Sequence, residues 1–192
     1  MRRAGLVVCL VVLGALLVAP VGAQAATQYF SGSNANDPAT DVTFTVTGKY
    51  KKVKKGGSGN RNKKPKKVFV PSQVSEVHVI NQYFNCVKAD GSQAYYDSGA
   101  PLAGYMTSQY AFFQIPPMAV DKNGKFSGEY QFVTNGHTIE HHAFAGQIKN
   151  QSAKGTYRAQ YAAGGIEFGY CGDQTPAPWK GGLSPLEPLP VN

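Results

Sequence analysis

The stretch Asp41-Val42-Thr43-Phe44-Thr45-Val46-Thr47-Gly48-Lys49-Tyr50 decides the fold class. Val42, Phe44, Val46 and Tyr50 fall on one face, and Thr43, Thr45, Thr47 and Lys49 on the other. A period of two is the side-chain period of an extended chain, so one face meets a core and the other meets water. This is the pattern of a half-buried antiparallel strand. The same alternation returns in Lys125–Val133, where Phe126, Gly128, Tyr130 and Phe132 oppose Ser127, Glu129, Gln131 and Val133. It returns again in Thr156–Tyr161, where Tyr157, Ala159 and Tyr161 oppose Thr156, Arg158 and Gln160.

Val74–Phe84, Tyr110–Ile115, Thr138–Ile148 and Ile166–Cys171 are also expected to be extended, with less regular faces. Asp121-Lys122-Asn123-Gly124, Asn135-Gly136 and Ala163-Gly164-Gly165 supply the turn chemistry between strands. No twelve-residue window carries a helical stripe. So many strands joined by hairpin turns predict an all-β domain, an antiparallel β-sandwich with a closed β-barrel as the alternative.

The N-terminus reads as an address. Arg2 and Arg3 precede an apolar run from Leu6 to Val18, Pro20 and Gly22 break it, and Ala23-Gln24-Ala25 offers small residues for cleavage. This is the form of a secretory signal peptide over residues 1–25, with Ala23 and Ala26 as alternative cleavage points. The apolar run is shorter than the roughly 20 residues that span a bilayer, so no transmembrane segment is expected after its removal. Cys9 lies inside the apolar run behind bulky Val8, which argues against a lipid-attachment cysteine. Export leaves Cys86 and Cys171, an even count in an oxidising compartment, and one disulfide is expected between them. The sandwich is preferred to the barrel because a cystine between distant strands often ties two sheets together. The domain is then expected over residues 26–182, with residues 183–192 as a Pro-rich tail.

The net charge of +8 over 192 residues is concentrated in one place. Residues 49–67 hold Lys49, Lys51, Lys52, Lys54, Lys55, Arg61, Lys63, Lys64, Lys66 and Lys67, with no acid among them. Elsewhere the mature chain has seven cations against 11 acids. The reading is a mildly acidic body with a flexible basic loop, its tip at Gly56-Gly57-Ser58-Gly59-Asn60. Lys51, Lys52, Lys54, Lys55, Arg61, Lys63, Lys64, Lys66 and Lys67 are candidate contacts to a polyanion, an anionic cell-envelope polymer or a polysaccharide. Few aromatic residues interleave with the lysines, Tyr50 and Phe69 at the ends, so specific nucleic-acid binding is not expected. The plainer reading of the same run is a solvated loop that keeps a hairpin edge unpaired.

Gly124-Lys125-Phe126-Ser127-Gly128, Ala145-Gly146-Gln147-Ile148, Gly155-Thr156-Tyr157-Arg158 and Tyr170-Cys171-Gly172 with Trp179 beyond it form a recurring order of strings. Over residues 41–180 the chain resembles a loose group of small secreted bacterial β-sandwich proteins of uncharacterised function. The resemblance implies the fold, and a partner cysteine at the end of an earlier strand, where Asn85-Cys86 stands here. It implies no catalytic residues. The Lys-rich segment and the histidine cluster depart from that pattern.

His137-Thr138-Ile139-Glu140-His141 matches the H-x-x-E-H string of inverted zinc peptidases. That chemistry needs a helix, which brings two histidines four apart to about 6 Å. A strand holds the same pair about 13 Å apart, too far to share one metal. The turn Asn135-Gly136, with Phe144 and Ile148 beyond, argues for a strand, so no metal and no cofactor is expected. Nucleophile elbows, phosphate loops and dinucleotide fingerprints are missing from the sequence. Asn150-Gln151-Ser152 fits a glycosylation sequon. The function expected is therefore a secreted, non-enzymatic binding or accessory module. A carbohydrate-binding module using Tyr95, Tyr96, Tyr105, Tyr110 and Trp179 is the alternative, and a zinc-dependent hydrolase the third reading.

Overall fold

A computed structural model describes residues 25–53, 65–106, 114–134, 137–162, 168–173 and 175–185. Among them are eleven strands and no helix long and apolar enough to cross a membrane. Two meanders carry the fold. The first is β1 (Ala25–Asn34), β2 (Asp41–Val53) and β3 (Lys66–Ile80). The second is β7 (Lys125–Thr134), β8 (His137–Lys149) and β9 (Ser152–Tyr161). The last strand, β11 (Ala177–Ser184), pairs with β1 on one side and β9 on the other, fusing the meanders into one antiparallel sheet. The short strand β6 (Met118–Ala119) extends the first meander beyond β3. Among the described residues no ladder joins β6 to β7, and the sheet is not closed into a barrel.

The sheet curls so that its two halves face each other. Phe44 of β2 lies 6.0 Å from Phe126 of β7 and 5.7 Å from Phe144 of β8, though several strands separate these elements in the ladder. Phe30 stacks on Phe44 from the neighbouring strand, and Trp179 stacks on Phe144 at 5.0 Å. Val42, Val46, Val74 and Ala159 are fully buried around these rings. Large rings fit because glycines stand beside them. A Cβ on Gly146 would come within 2.7 Å of Trp179 and 2.8 Å of Phe126.

A bulge explains the irregular face of Val74–Phe84. Thr45 pairs with Ser75 but Thr43 pairs with His78, so β3 has one residue more than β2 across this step. Glu76 carries the bulge with φ 50°, and Thr45 Oγ1 donates to its carboxylate at 2.6 Å. The extra residue shifts the phase, and Val74, Val77 and Val79 all reach the core despite their odd spacing. The run then breaks at Asn81, with φ 56°, and β4 (Gln82–Lys88) continues it as a separate strand. A second bulge at Ser72 puts Pro71 opposite Gly48, where a strand tolerates a residue without an N–H.

Beyond the meanders, β4 pairs with β5 (Ala103–Met106) and with β10 (Phe168–Gly172). Cys86 and Cys171 stand directly opposite each other in that last ladder and are disulfide-bonded, with Cα atoms 3.9 Å apart. The Cys86 amide donates to Leu102 and its carbonyl accepts from Ala94, on the other side of the strand. The cystine therefore occupies a non-hydrogen-bonded pair, where opposing Cα atoms approach closest. It links neighbouring strands of one sheet. Whether the cystine ties two sheets is open in the sequence, and the ladder answers it.

Other expectations shift at their edges. Leu183 and Ser184, expected to begin the Pro-rich tail, pair with Phe30 and Tyr29 in β11. Ile115 enters the core outside any strand, and Tyr110–Phe113 lie outside the described residues. So do residues 1–24 of the expected signal peptide, the turns at 135–136 and 163–165, and residues 186–192. Four strands, β1, β5, β6 and β11, are not anticipated by the sequence reading. β1 is rich in Gly, Ser and Asn, and β11 contains Pro178, Gly181 and Gly182, compositions that read as loop.

Candidate functional site

The Lys-rich segment is built as a strand pair at both ends. After the bulge at Ser72 the ladder continues through Lys49↔Val70, Tyr50↔Phe69, Lys51↔Val68, Lys52↔Lys67 and Val53↔Lys66. Tyr50 and Phe69 meet edge to face at 5.5 Å and brace the base of this arm. Both faces carry lysine. Lys52 and Lys67 lie directly opposite each other, an arrangement of like charges that weakens a sheet. Lys49, Lys51, Lys52, Lys66 and Lys67 are all exposed, and among the described residues none makes an ion pair. Lys54, Lys55, Arg61, Lys63 and Lys64 lie outside the described residues. So the arms of the expected loop, at 49–53 and 66–67, belong to the sheet. Val53 and Val68 are half exposed on the arm, which gives it apolar as well as cationic surface.

The histidine string lies on strand β8, His137–Lys149. Extended backbone separates His137 and His141 along the strand, as one metal would not allow. His141 points outward, with Nε2 3.3 Å from Glu129 Oε2 on the adjacent strand. His142 points inward and is fully buried. Its ring is parallel to that of Tyr130 at 6.2 Å and lies 5.0 Å from that of Tyr161. Among the described residues no three His, Cys, Asp or Glu side chains gather as metal ligands would. Glu167, a conceivable third ligand, lies outside the described residues.

Burial is the main cause that pushes the His142 pKa down to about 4, and neighbouring His141 adds to it. The ring is therefore neutral, although Glu140 Oε2 stands 3.6 Å from Nε2. Asp173 shows the opposite behaviour. Burial raises its pKa to about 6, against the hydrogen bonds from the Ala159 amide (3.2 Å) and Gln82 Nε2 (2.5 Å). These two groups set a pH dependence of stability. The unfolded chain takes a proton on histidine below about 6.5, and the folded chain resists this until about 4. Stability from His142 is thus complete above 6.5 and is lost as pH falls towards 4, on the order of 3 kcal/mol in all. Asp173 protonates in the folded state first, so it returns stability as pH falls from about 6. Urea midpoints measured between pH 4 and 7.5 should change little for the unaltered protein, because the two contributions are of opposite sign and similar size. His142→Phe should make the midpoint rise on acidification and Asp173→Asn should make it fall. A slope unchanged by His142→Phe would show that this ring is not the source.

The aromatic candidates divide. Trp179 is in the core at 2% exposure and offers no face to a sugar ring. Tyr95, Tyr96 and Tyr105 are about half exposed on the flap around β4 and β5, while Tyr110 lies outside the described residues. Tyr83 was not singled out in the sequence. It pairs with Tyr105 across the ladder, ring to ring at 5.3 Å. Comparison of the chain with protein-family models, with curated proteins and with solved structures finds no match in any of the three.

Proposed function

We propose that the protein is an exported, non-enzymatic binding module that holds an anionic cell-envelope polymer or polysaccharide through the β2–β3 arm. The observation that carries this reading is the direct opposition of Lys52 and Lys67 on an arm with no acid to neutralise them. Such an arrangement is unfavourable in the free protein and is relieved when an anion lies across it. Lysines act as point charges rather than as base readers, so recognition is of charge density, with counterion release as its driving force.

The test is retention on an immobilised polyanion across a salt series. Changing Lys51, Lys52, Lys66 and Lys67 to Ser should weaken binding about tenfold or more at 0.05 M salt. Binding to the unaltered protein should be gone by about 0.3 M salt, where surface charges are largely screened. Equal retention of the two proteins would overturn the reading. A second reading, a carbohydrate module, rests on the exposed Tyr83–Tyr105 pair with Tyr95 and Tyr96 nearby in the chain. It calls for binding that depends on those rings and ignores salt.

A further inference from the structure

On the outer face of the second meander, the registers align Lys125 of β7, Gln147 of β8, Lys154 of β9 and Lys180 of β11 in one row. The three lysines are exposed, and Lys154 stands directly opposite Lys180. None makes an ion pair among the described residues. Asp121, the acid nearest Lys125 in the chain, uses Oδ1 on the amides of Asn123 and Lys125 at 2.8 Å each. Gln147 donates from Nε2 to the Asn123 carbonyl at 2.9 Å, which fixes it between the cations.

The row borders a groove of about 540 Å³ floored by Ala145, Gly146, Gly155 and Pro178, over the edge of Trp179. Ala145 and Thr156 also line a second hollow of about 470 Å³ that extends towards Arg158. The two form one trough across the sheet. Lysines lie at one end, small apolar residues along the floor, and the hydroxyls of Ser127 and Thr156 beside them. At the far rim stand Glu129 and Arg158, one charge of each sign.

We infer that this trough binds an acidic polysaccharide, a linear glycan whose carboxylates lie against Lys125, Lys154 and Lys180. The row spans three strand-to-strand steps, about 14 Å, the reach of an oligosaccharide rather than of a lone anion. Its floor offers small residues against which sugar rings lie flat, and Thr156 and Ser127 are partners for hydroxyls. Among the described residues its lining carries no exposed Phe, Tyr or Trp ring on which a nucleic-acid base would stack, and this favours a glycan over a nucleic acid. The inference shares with the proposed function an anionic polymer as ligand. The site is a different one, nearly half the chain away from the β2–β3 arm in sequence.

The test uses the full chain with Lys51, Lys52, Lys54, Lys55, Arg61, Lys63, Lys64, Lys66 and Lys67 changed to Ser, which removes the candidate contacts of the arm. Lysine acetylation is read by mass spectrometry with polygalacturonate fragments, neutral dextran or inorganic polyphosphate as probes. Polygalacturonate should slow acetylation of Lys125, Lys154 and Lys180 several-fold, leave Lys88 unchanged, and lose affinity about tenfold or more in Lys154→Ser/Lys180→Ser. Lys154→Arg/Lys180→Arg should retain binding. Unprotected lysines would overturn the site. Protection by polyphosphate equal to or greater than that by polygalacturonate at equal charge would overturn the assignment to a glycan. Failure of the arm in the retention experiment, with protection kept here, would remove the proposed function and leave this site standing.

Discussion

Trp179→Ala is expected to lower the unfolding free energy by about 3–5 kcal/mol, the range for removing a fully buried aromatic side chain. Its ring is stacked on Phe144 and meets Phe44 at 5.4 Å and Phe126 at 6.4 Å, so one deletion strips contacts from strands of both meanders. Its strand, β11, also joins those meanders, and a cavity there loosens the two ladders at once. Collapse around it is limited, because the neighbours are rigid rings and glycine backbone. Trp179→Phe should cost much less, since a ring remains and the buried indole N–H, which has no hydrogen-bond partner among the described residues, is removed. Denaturation followed by circular dichroism measures both. A loss below about 1 kcal/mol for Trp179→Ala would mean that the core is not centred where these contacts put it.

Cys86→Ala/Cys171→Ala is expected to cost about 2–5 kcal/mol, the range for a native disulfide in a small domain. The cross-link closes a segment with a sequence separation of 85, and chain entropy alone assigns such a loop about 4–5 kcal/mol. The effect has a local part as well. Among the described residues β10 shares two register positions with β9, Cys171↔Tyr161 and Gly172↔Gln160. The flap of β4 and β5 is tied to the body through the cystine and the short ladder around it, the junction with β3 at Asn81, and the Gln82–Asp173 hydrogen bond. Amide exchange in Tyr83–Val87 should accelerate more than exchange in β1 or β2. Reduction of the unaltered protein should reproduce the double variant. Equal stability, with uniform exchange, would show that the flap is held by packing alone.

Much of the fold is legible in single stretches of sequence. Asp41–Tyr50, Lys125–Val133 and Thr156–Tyr161 announce themselves by a period of two, because burial of one pleated face selects alternate residues. The core residues Val42, Phe44, Val46, Phe126 and Tyr157 follow from that period and are buried. The strand reading of His137–His141 also came from local signals, and it separates the two histidines. The disulfide followed from cysteine count and compartment.

Where alternation was interrupted, local reading lost the phase. One residue, Glu76, in a left-handed conformation moves Val77 and Val79 onto the face of Val74, and nothing in a period-two template allows for it. Strands β1 and β11 were hidden for a related reason. Their glycines pack backbone to backbone, as at Gly32 and Gly181, and so mimic the composition of loops.

The sequence by itself determined that the chain forms strands, which residues face inward in the regular ones except Tyr50 and Phe132, which are about half exposed, that Cys86 and Cys171 pair, and that one segment concentrates the lysines. Only the tertiary structure decided which strands are neighbours. That choice put the cystine within one sheet, took Trp179 into the core, and brought Lys125, Lys154 and Lys180 into one row. The physical reason is that side-chain alternation is a property of one strand, whereas register is a property of two. Lys125, Lys154 and Lys180 each look like an isolated solvated charge along the chain, and they become a common cationic edge only when ladders between distant segments align them.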